Sequence, residues 1–259
     1  MDAYIITTND AVGSARRSQL DLDLPGISIN FVHTDKREAI TEFGSELNNY
    51  LNATRGCLTT HLSAQQKFVV SKSEWALFLE DDFRILQKSD LIDLIAKIKK
   101  YKARYPMIIQ VGWTELPLTP RRLIAAVLNF VRLKGKVKGD LVEQTSWGTH
   151  AYIMNRHMAK IMLEFLSSSE EKLAPPIIPL DIYWILCSTL YMGSGCKMYR
   201  TNKSFLTQFS ETSLITPNNV YKDKRLFRAI PYRSKIESLS SMKKEPIKIR
   251  ELLLQEHKS

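Results

Sequence analysis

Three carboxylates stand side by side at Glu80, Asp81 and Asp82, directly after the apolar run from Trp75 to Leu79. Adjacent carboxylates repel one another, so water or a cation must offset the repulsion. A short, wholly apolar run reads as a strand covered on both faces, which puts the acids where that strand ends. In an open α/β sheet, ligands bind at the carboxyl ends of the strands. Oxygen ligands at that place suit a hard divalent cation, Mn²⁺ or Mg²⁺, which keeps positions open for a substrate diphosphate. Such an ion is a Lewis acid toward a departing diphosphate. Alternation along the chain points Glu80 and Asp82 one way and Asp81 the other. A solvated turn or a helix start would use the same three acids without any metal.

Positioning these groups requires a scaffold. "AYIIT" (3–7), "ISINFVH" (27–33), the 75–79 run, "MIIQVGW" (107–113) and "THAYIM" (149–154) read as strands. A polar helical stretch lies between the first two. Residues 58–72 read as a helix with Leu58, Leu62, Phe68 and Val69 toward a core. Ser89 is placed to cap a helix whose first turn holds Asp90 and Asp93, with Leu91, Leu94, Ile95 and Ile98 as its buried stripe. Asn155 is placed to cap another, carrying Met158, Ile161, Met162 and Phe165 on one face. "LAPPIIPL" (173–180) reads as a rigid loop ending at Asp181, which opens a further apolar helix. Strands alternating with helices imply an α/β sandwich with a mixed, mostly parallel sheet.

The chain has 259 residues, of which 44% are hydrophobic and 25% charged, the composition of a globular protein with a sizeable core. No apolar run reaches the ~20 residues that span a bilayer, and the N-terminus lacks the pattern of a signal peptide. Three cysteines, Cys57, Cys187 and Cys196, form no C-x-x-C pair. That argues against a disulfide framework or a structural zinc site and fits buried thiols in a reducing compartment. The net charge of +10 is concentrated: residues 119–140 hold six Lys/Arg and one acid, and residues 225–259 hold nine Lys/Arg and four acids. Either segment could meet an anionic surface or be simply solvated. The expected organisation is a domain over 1–224, with a basic insertion or lid at about 117–143, and a basic appendage over 225–259.

Five segments in order along residues 3–213 resemble glycosyltransferase family 25, the lipopolysaccharide-type glycosyltransferases related to collagen galactosyltransferases. They are "YIITTND…ARR", "GCLTTHLSAQQKFVVSKSEWALFLEDD", "GTHAYIMNRHMAKIML", "PLDIYW" and "FLTQFSETSLI". The resemblance implies a GT-A-like, Rossmann-type fold that binds a nucleotide sugar. It implies inverting transfer of a hexose, galactose or glucose, from a UDP-sugar to a hydroxyl of a saccharide acceptor in lipopolysaccharide or surface-glycan synthesis. Glu80 and Asp82 would stand for the metal motif, with Asp82 as direct ligand to Mn²⁺ or Mg²⁺. Arg17, Asp81, Thr149, His150 and Gln208 would line the donor site. Arg16, His61 and Gly148 also match. Asp181 is the candidate general base that single displacement requires, or a helix cap, or a metal contact. The sequence departs from the family pattern at Arg55, where an acid is common, and at "ITTND", which lacks the usual Asn-Leu-Asp run.

The expected partners are therefore a nucleotide-sugar donor, a glycan acceptor and an anionic membrane surface, with no nucleic acid. The expected location is cytoplasmic, peripheral on the inner face of the membrane. Two rival readings use the same features: a basic nucleic-acid- or membrane-binding protein without transferase activity, and a metal-dependent phosphoesterase.

Overall fold

The structure, a computed structural model, describes residues 1–34, 41, 45–114, 141–142, 147–169, 184 and 196–208. Nine strands form one sheet: β1 (Asp2–Thr7), β2 (Ser28–His33), β3 (Trp75–Glu80), β4 (Phe83–Ile85), β5 (Met107–Thr114), β6 (Leu141–Val142), β7 (Trp147–Asn155), β8 (Lys197–Thr201) and β9 (Leu206–Gln208). Among the described residues four helices accompany them: α1 (Ala11–Arg17), α2 (Ser45–Val70), α3 (Lys88–Lys100) and α4 (Arg156–Ser169). The strand order is β2-β1-β3-β7-β5-β8-β6, with β9 joining β4 to β5 beside this path. The fold is α/β with a mixed sheet. β1 is parallel to β2 and β3, and β5 is parallel to β8 and β9. β7 runs antiparallel between β3 and β5, and β4–β9 and β6–β8 are antiparallel too. Antiparallel pairing is thus as frequent as parallel, because a reversed strand fills the centre.

Strand alternation splits the core into two layers. Tyr4, Ile6, Ala76, Phe78, Tyr152 and Met154 pack with Leu58, Leu62 and Phe68 of α2 and Met158 and Met162 of α4. On the other face Ala3, Ile5, Leu77, Leu79 and Ile153 pack with Leu91, Leu94, Ile95 and Ile98 of α3. Burial on both faces explains why β1 from Ala3 to Ile6 and β3 from Trp75 to Leu79 are continuously apolar rather than alternating.

Helix boundaries differ in places from the sequence expectation. α2 starts at Ser45, because its polar first half extends a helix whose second half is anchored on the sheet. α3 starts at Lys88; Gln87 holds the cap position without a side-chain bond, so Ser89 is inside the helix. Asn155 does cap α4: its Oδ1 accepts from the Met158 amide at 3.0 Å. The same Oδ1 accepts from the Met107 amide at 3.0 Å, and Nδ2 donates to the Tyr105 carbonyl at 2.7 Å. One buried amide thereby ties the start of α4 to the start of β5.

Leu141 and Val142, near the end of the span expected for the basic insertion, pair with Thr201 and Arg200 of β8 as a sheet strand. Most of that insertion, Asp181 and residues 225–259 lie outside the described residues. Among the described residues, no helix is long and apolar enough to cross a membrane.

Candidate active site

The three acids close β3 and turn the chain into β4. Register places Ile6 of β1 opposite Glu80, so Thr7 comes level with Asp81. Thr7 Oγ1 donates to Asp81 Oδ2 at 2.6 Å, and Arg16 of α1 donates to Asp81 Oδ1 at 3.1 Å. Arg17 donates to Thr7 Oγ1 at 2.9 Å and to the Thr8 carbonyl at 2.8 Å. Asp10 holds α1 in place: its Oδ1 accepts from the Gly13 amide and from Thr8 Oγ1, each at 2.8 Å. A side chain at position 13 would put its Cβ 2.2 Å from the Thr8 carbonyl oxygen, so only glycine lets the helix sit this close.

Asp81 therefore serves the junction of β1, β3 and α1. Its carboxylate is buried and Arg16 is mostly so, with side-chain exposures of 6% and 19%. Removing one member of a buried pair leaves the other charge uncompensated. Arg16→Ala is expected to destabilise the fold by about 2–4 kcal/mol, within the range for broken buried pairs after allowance for the partly exposed arginine. Urea unfolding checks this; a loss below ~0.5 kcal/mol would mean that the pair behaves as a surface ion pair.

Glu80 and Asp82 face away from that junction. Gln208 of β9 donates from Nε2 to Glu80 Oε2 at 3.2 Å, and the same nitrogen lies 3.5 Å from Asp82 Oδ1. Asp82 is only 6% exposed. Burial, and next the charge of Glu80, push its carboxyl up to about 6; Asp81 adds to this, while Arg16 and Gln208 counter it. Two close carboxylates share one neutral amide as donor, with one oxygen of each within its reach. Carboxylate oxygens brought together in this way fit a hard divalent cation, which Glu80 and Asp82 would hold.

Behind Glu80 lies a buried polar chain. Glu80 Oε1 is 3.5 Å from His61 Nε2 and 3.9 Å from Cys57 Sγ, both on α2. His61 Nδ1 is 2.9 Å from the Tyr152 hydroxyl, and Gln65 Nε2 donates to that hydroxyl at 3.3 Å. Burial holds the Tyr152 phenol well above its ordinary range, so it stays protonated. His150, beside Tyr152 on β7, is lowered by its own burial, against the pull of Glu80 and a bond to the Leu206 backbone. Its ring occupies space that Gly112 of β5 leaves open: a Cβ there would lie 2.8 Å from the ring.

The structure brings Glu80, Asp82, Gln208 and His150 to one region, and Asp81 and Arg17 to the adjacent β1–α1 junction. Arg17 uses a guanidinium nitrogen on Thr7 and Thr8, and both oxygens of Asp81 are engaged. The Thr149 side chain, like Asp181, lies outside the described residues. Cys57 and Cys196 are partly exposed, not buried. Thr7, Gln65 and Tyr152 were not legible as site residues; only the Cys57-x₃-His61 spacing, one helical turn, carried a signal.

Residues 35–184 match the family model of glycosyltransferase family 25, described as LPS biosynthesis proteins. The matched span holds Cys57, His61, the three acids, His150 and Asp181. The sequence matches none of the curated proteins. Similar solved structures include a glycosyltransferase involved in glycosylation of the major capsid of PBCV-1, at 9% identity and a TM-score of 0.39, covering 88% of this chain and 98% of that one. Another is a Bacillus anthracis protein assigned as a glucose-1-phosphate thymidylyltransferase, at 12% identity and a TM-score of 0.39, covering 90% of this chain and 79% of the other.

Proposed function

This chain belongs to glycosyltransferase family 25, and we propose from that premise that it transfers galactose or glucose from a UDP-sugar, with inversion, to a hydroxyl of a saccharide acceptor in lipopolysaccharide or surface-glycan synthesis. The observation that carries the reading is the Glu80–Asp82 pair at the end of β3, Asp82 buried and Glu80 partly so, bridged by the Gln208 amide. A bound Mn²⁺ or Mg²⁺ would supply Lewis-acid stabilisation of the departing diphosphate. Asp82 and Glu80 would present their oxygens to that ion, and Gln208 would orient both carboxylates. Asp81, locked by Arg16 and Thr7, fixes the turn from which the other two acids project. His150, kept neutral by burial, can offer a hydrogen bond to the donor without adding charge. Asp181 is the proposed base for the acceptor hydroxyl.

Thermal unfolding with UDP, GDP and CMP and their sugars, each with Mn²⁺, Mg²⁺ or EDTA, tests the reading. A uridine ligand at ~100 times its dissociation constant should add about 2.7 kcal/mol of stability, and only with metal present. Stabilisation by none of the nucleotides with either metal would overturn it. A shift with GDP or CMP alone would keep the transferase and replace the donor.

A further inference from the structure

We propose that Cys57, His61 and Glu80 form a site for a thiophilic divalent cation, Zn²⁺ in preference to Mn²⁺ or Mg²⁺, on the α2 face of the sheet beside the Glu80–Asp82 pair. The first argument is spacing. Cys57 and His61 are four residues apart on α2 and so share one face, and that face meets the end of β3 where Glu80 emerges. The ligand atoms of all three residues lie within 4.8 Å of one another. Glu80 Oε1 is 3.5 Å from His61 Nε2 and 3.9 Å from Cys57 Sγ. Tetrahedral zinc, with ligand bonds of ~2.0–2.3 Å, sets its ligands roughly 3.3–3.8 Å apart. The two contacts of Glu80 already lie close to that spacing, and the widest separation the three allow, 4.8 Å, closes with side-chain shifts of about 1 Å.

The second argument is the state of His61. Its ring is fully buried, and Nε2 makes no hydrogen bond among the described residues while aiming at Glu80. The other nitrogen is fixed by the Tyr152 hydroxyl, which Gln65 holds in turn. Metal-bound histidines are oriented in this way by a partner on the second nitrogen. Cys57 is partly exposed, which gives an ion a route in. The ligand types settle the preference: a thiolate and an imidazole suit zinc, whereas Mn²⁺ and Mg²⁺ favour carboxylate oxygens. Three protein ligands leave a fourth position open. Glu80 belongs to both sites, so zinc would draw it away from Asp82. The site itself stands apart from the transfer reading; only this competition rests on it.

The test needs neither donor nor acceptor, so its failure would leave the transfer reading untouched. The metal-stripped full chain is titrated with Co²⁺ and followed by absorption. One equivalent should produce a thiolate-to-cobalt charge-transfer band in the near ultraviolet, removed by Zn²⁺ and not by excess Mg²⁺. Cys57→Ser should lose the band, Cys196→Ser should keep it, and Tyr152→Phe should weaken binding by about 10–100-fold. As a check that needs no variant, Zn²⁺ but not Mg²⁺ should protect Cys57 from alkylation, read by peptide mass mapping. Absence of the band in the wild-type chain, its survival in Cys57→Ser, or alkylation of Cys57 indifferent to Zn²⁺ would each overturn the proposal.

Discussion

Asp82→Asn should lower kcat/KM for sugar transfer by about 10³-fold while making the metal-free protein more stable, not less. The catalytic loss follows from the part proposed for Asp82. A ligand that helps a cation meet charge developing on a leaving group acts mainly in the transition state, and removing one such electrostatic contact lowers rates by ~10²–10³. The gain in stability follows from burial. Asp82 is shielded from water beside two other acids, and its carboxyl is raised to about 6 from an ordinary value of 3.8. Below the ordinary value, folded and unfolded chains both hold the proton. As pH rises toward 6 the unfolded chain releases it first, so stability falls through this window. The loss is complete above the folded value and amounts to ~3 kcal/mol at most. Asparagine has no charge to bury. In EDTA at pH 8, Asp82→Asn should therefore melt several degrees above wild type, and the gap should close as pH drops toward 4. A divalent cation should narrow the gap from the other side by stabilising wild type alone. Activity within threefold of wild type would remove Asp82 from the reaction, and an Asn variant that melts lower at pH 8 would contradict the unfavourable burial.

Tyr152→Ala should be among the most destabilising single changes in the described fold. The ring is wholly buried and stacks on Phe78 at 4.9 Å between centroids, with Trp184 edge-on at 4.6 Å. Deleting a buried aromatic ring costs about 3–5 kcal/mol. The same change removes the hydroxyl partner of His61 and Gln65, and buried polar groups left unsatisfied add roughly 1–3 kcal/mol. Together these predict a fall in melting temperature of about 10–20 °C for a chain of this size. Tyr152→Phe isolates the polar share: ring stacking survives, and the expected loss is about 1–2 kcal/mol. If the Ala and Phe variants melted alike, the ring would contribute little and the hydrogen bonds nearly everything, contrary to its packing.

What the sequence disclosed and what it hid follow from the same physics. β1 and β3 were legible because a strand buried on both faces carries a short continuous apolar run, here Ala3 to Ile6 and Trp75 to Leu79. The α3 stripe Leu91, Leu94, Ile95, Ile98 was legible through its helical period. β4, β6, β8 and β9 were not. They are two to five residues long, and "KMYRT" and "LTQ" carry polar or charged side chains at the sheet margin. The acids announced themselves as a cluster, and family resemblance marked His150 and Gln208. Which acid faces which partner was only half legible: alternation separates Asp81 from its neighbours, but Thr7 and Arg16 as its partners depend on the pairing of β1 with β3, 74 and 65 residues away. The reversed direction of β7 between two parallel pairs has no local signature at all.

Gln208 reaches Asp82 from 126 residues further along the chain. A ribosome adding 5–20 residues per second takes roughly 6–25 s to cover that distance. During synthesis, then, β1 and β3 can meet and Arg16 can neutralise Asp81 long before the amide that bridges Glu80 and Asp82 exists. The nascent chain passes through a stage in which one acid is already settled and two still repel. β9, which carries Gln208 to Glu80 and Asp82, thus joins the acids late, and their bridging by that amide is a late event in the birth of the protein.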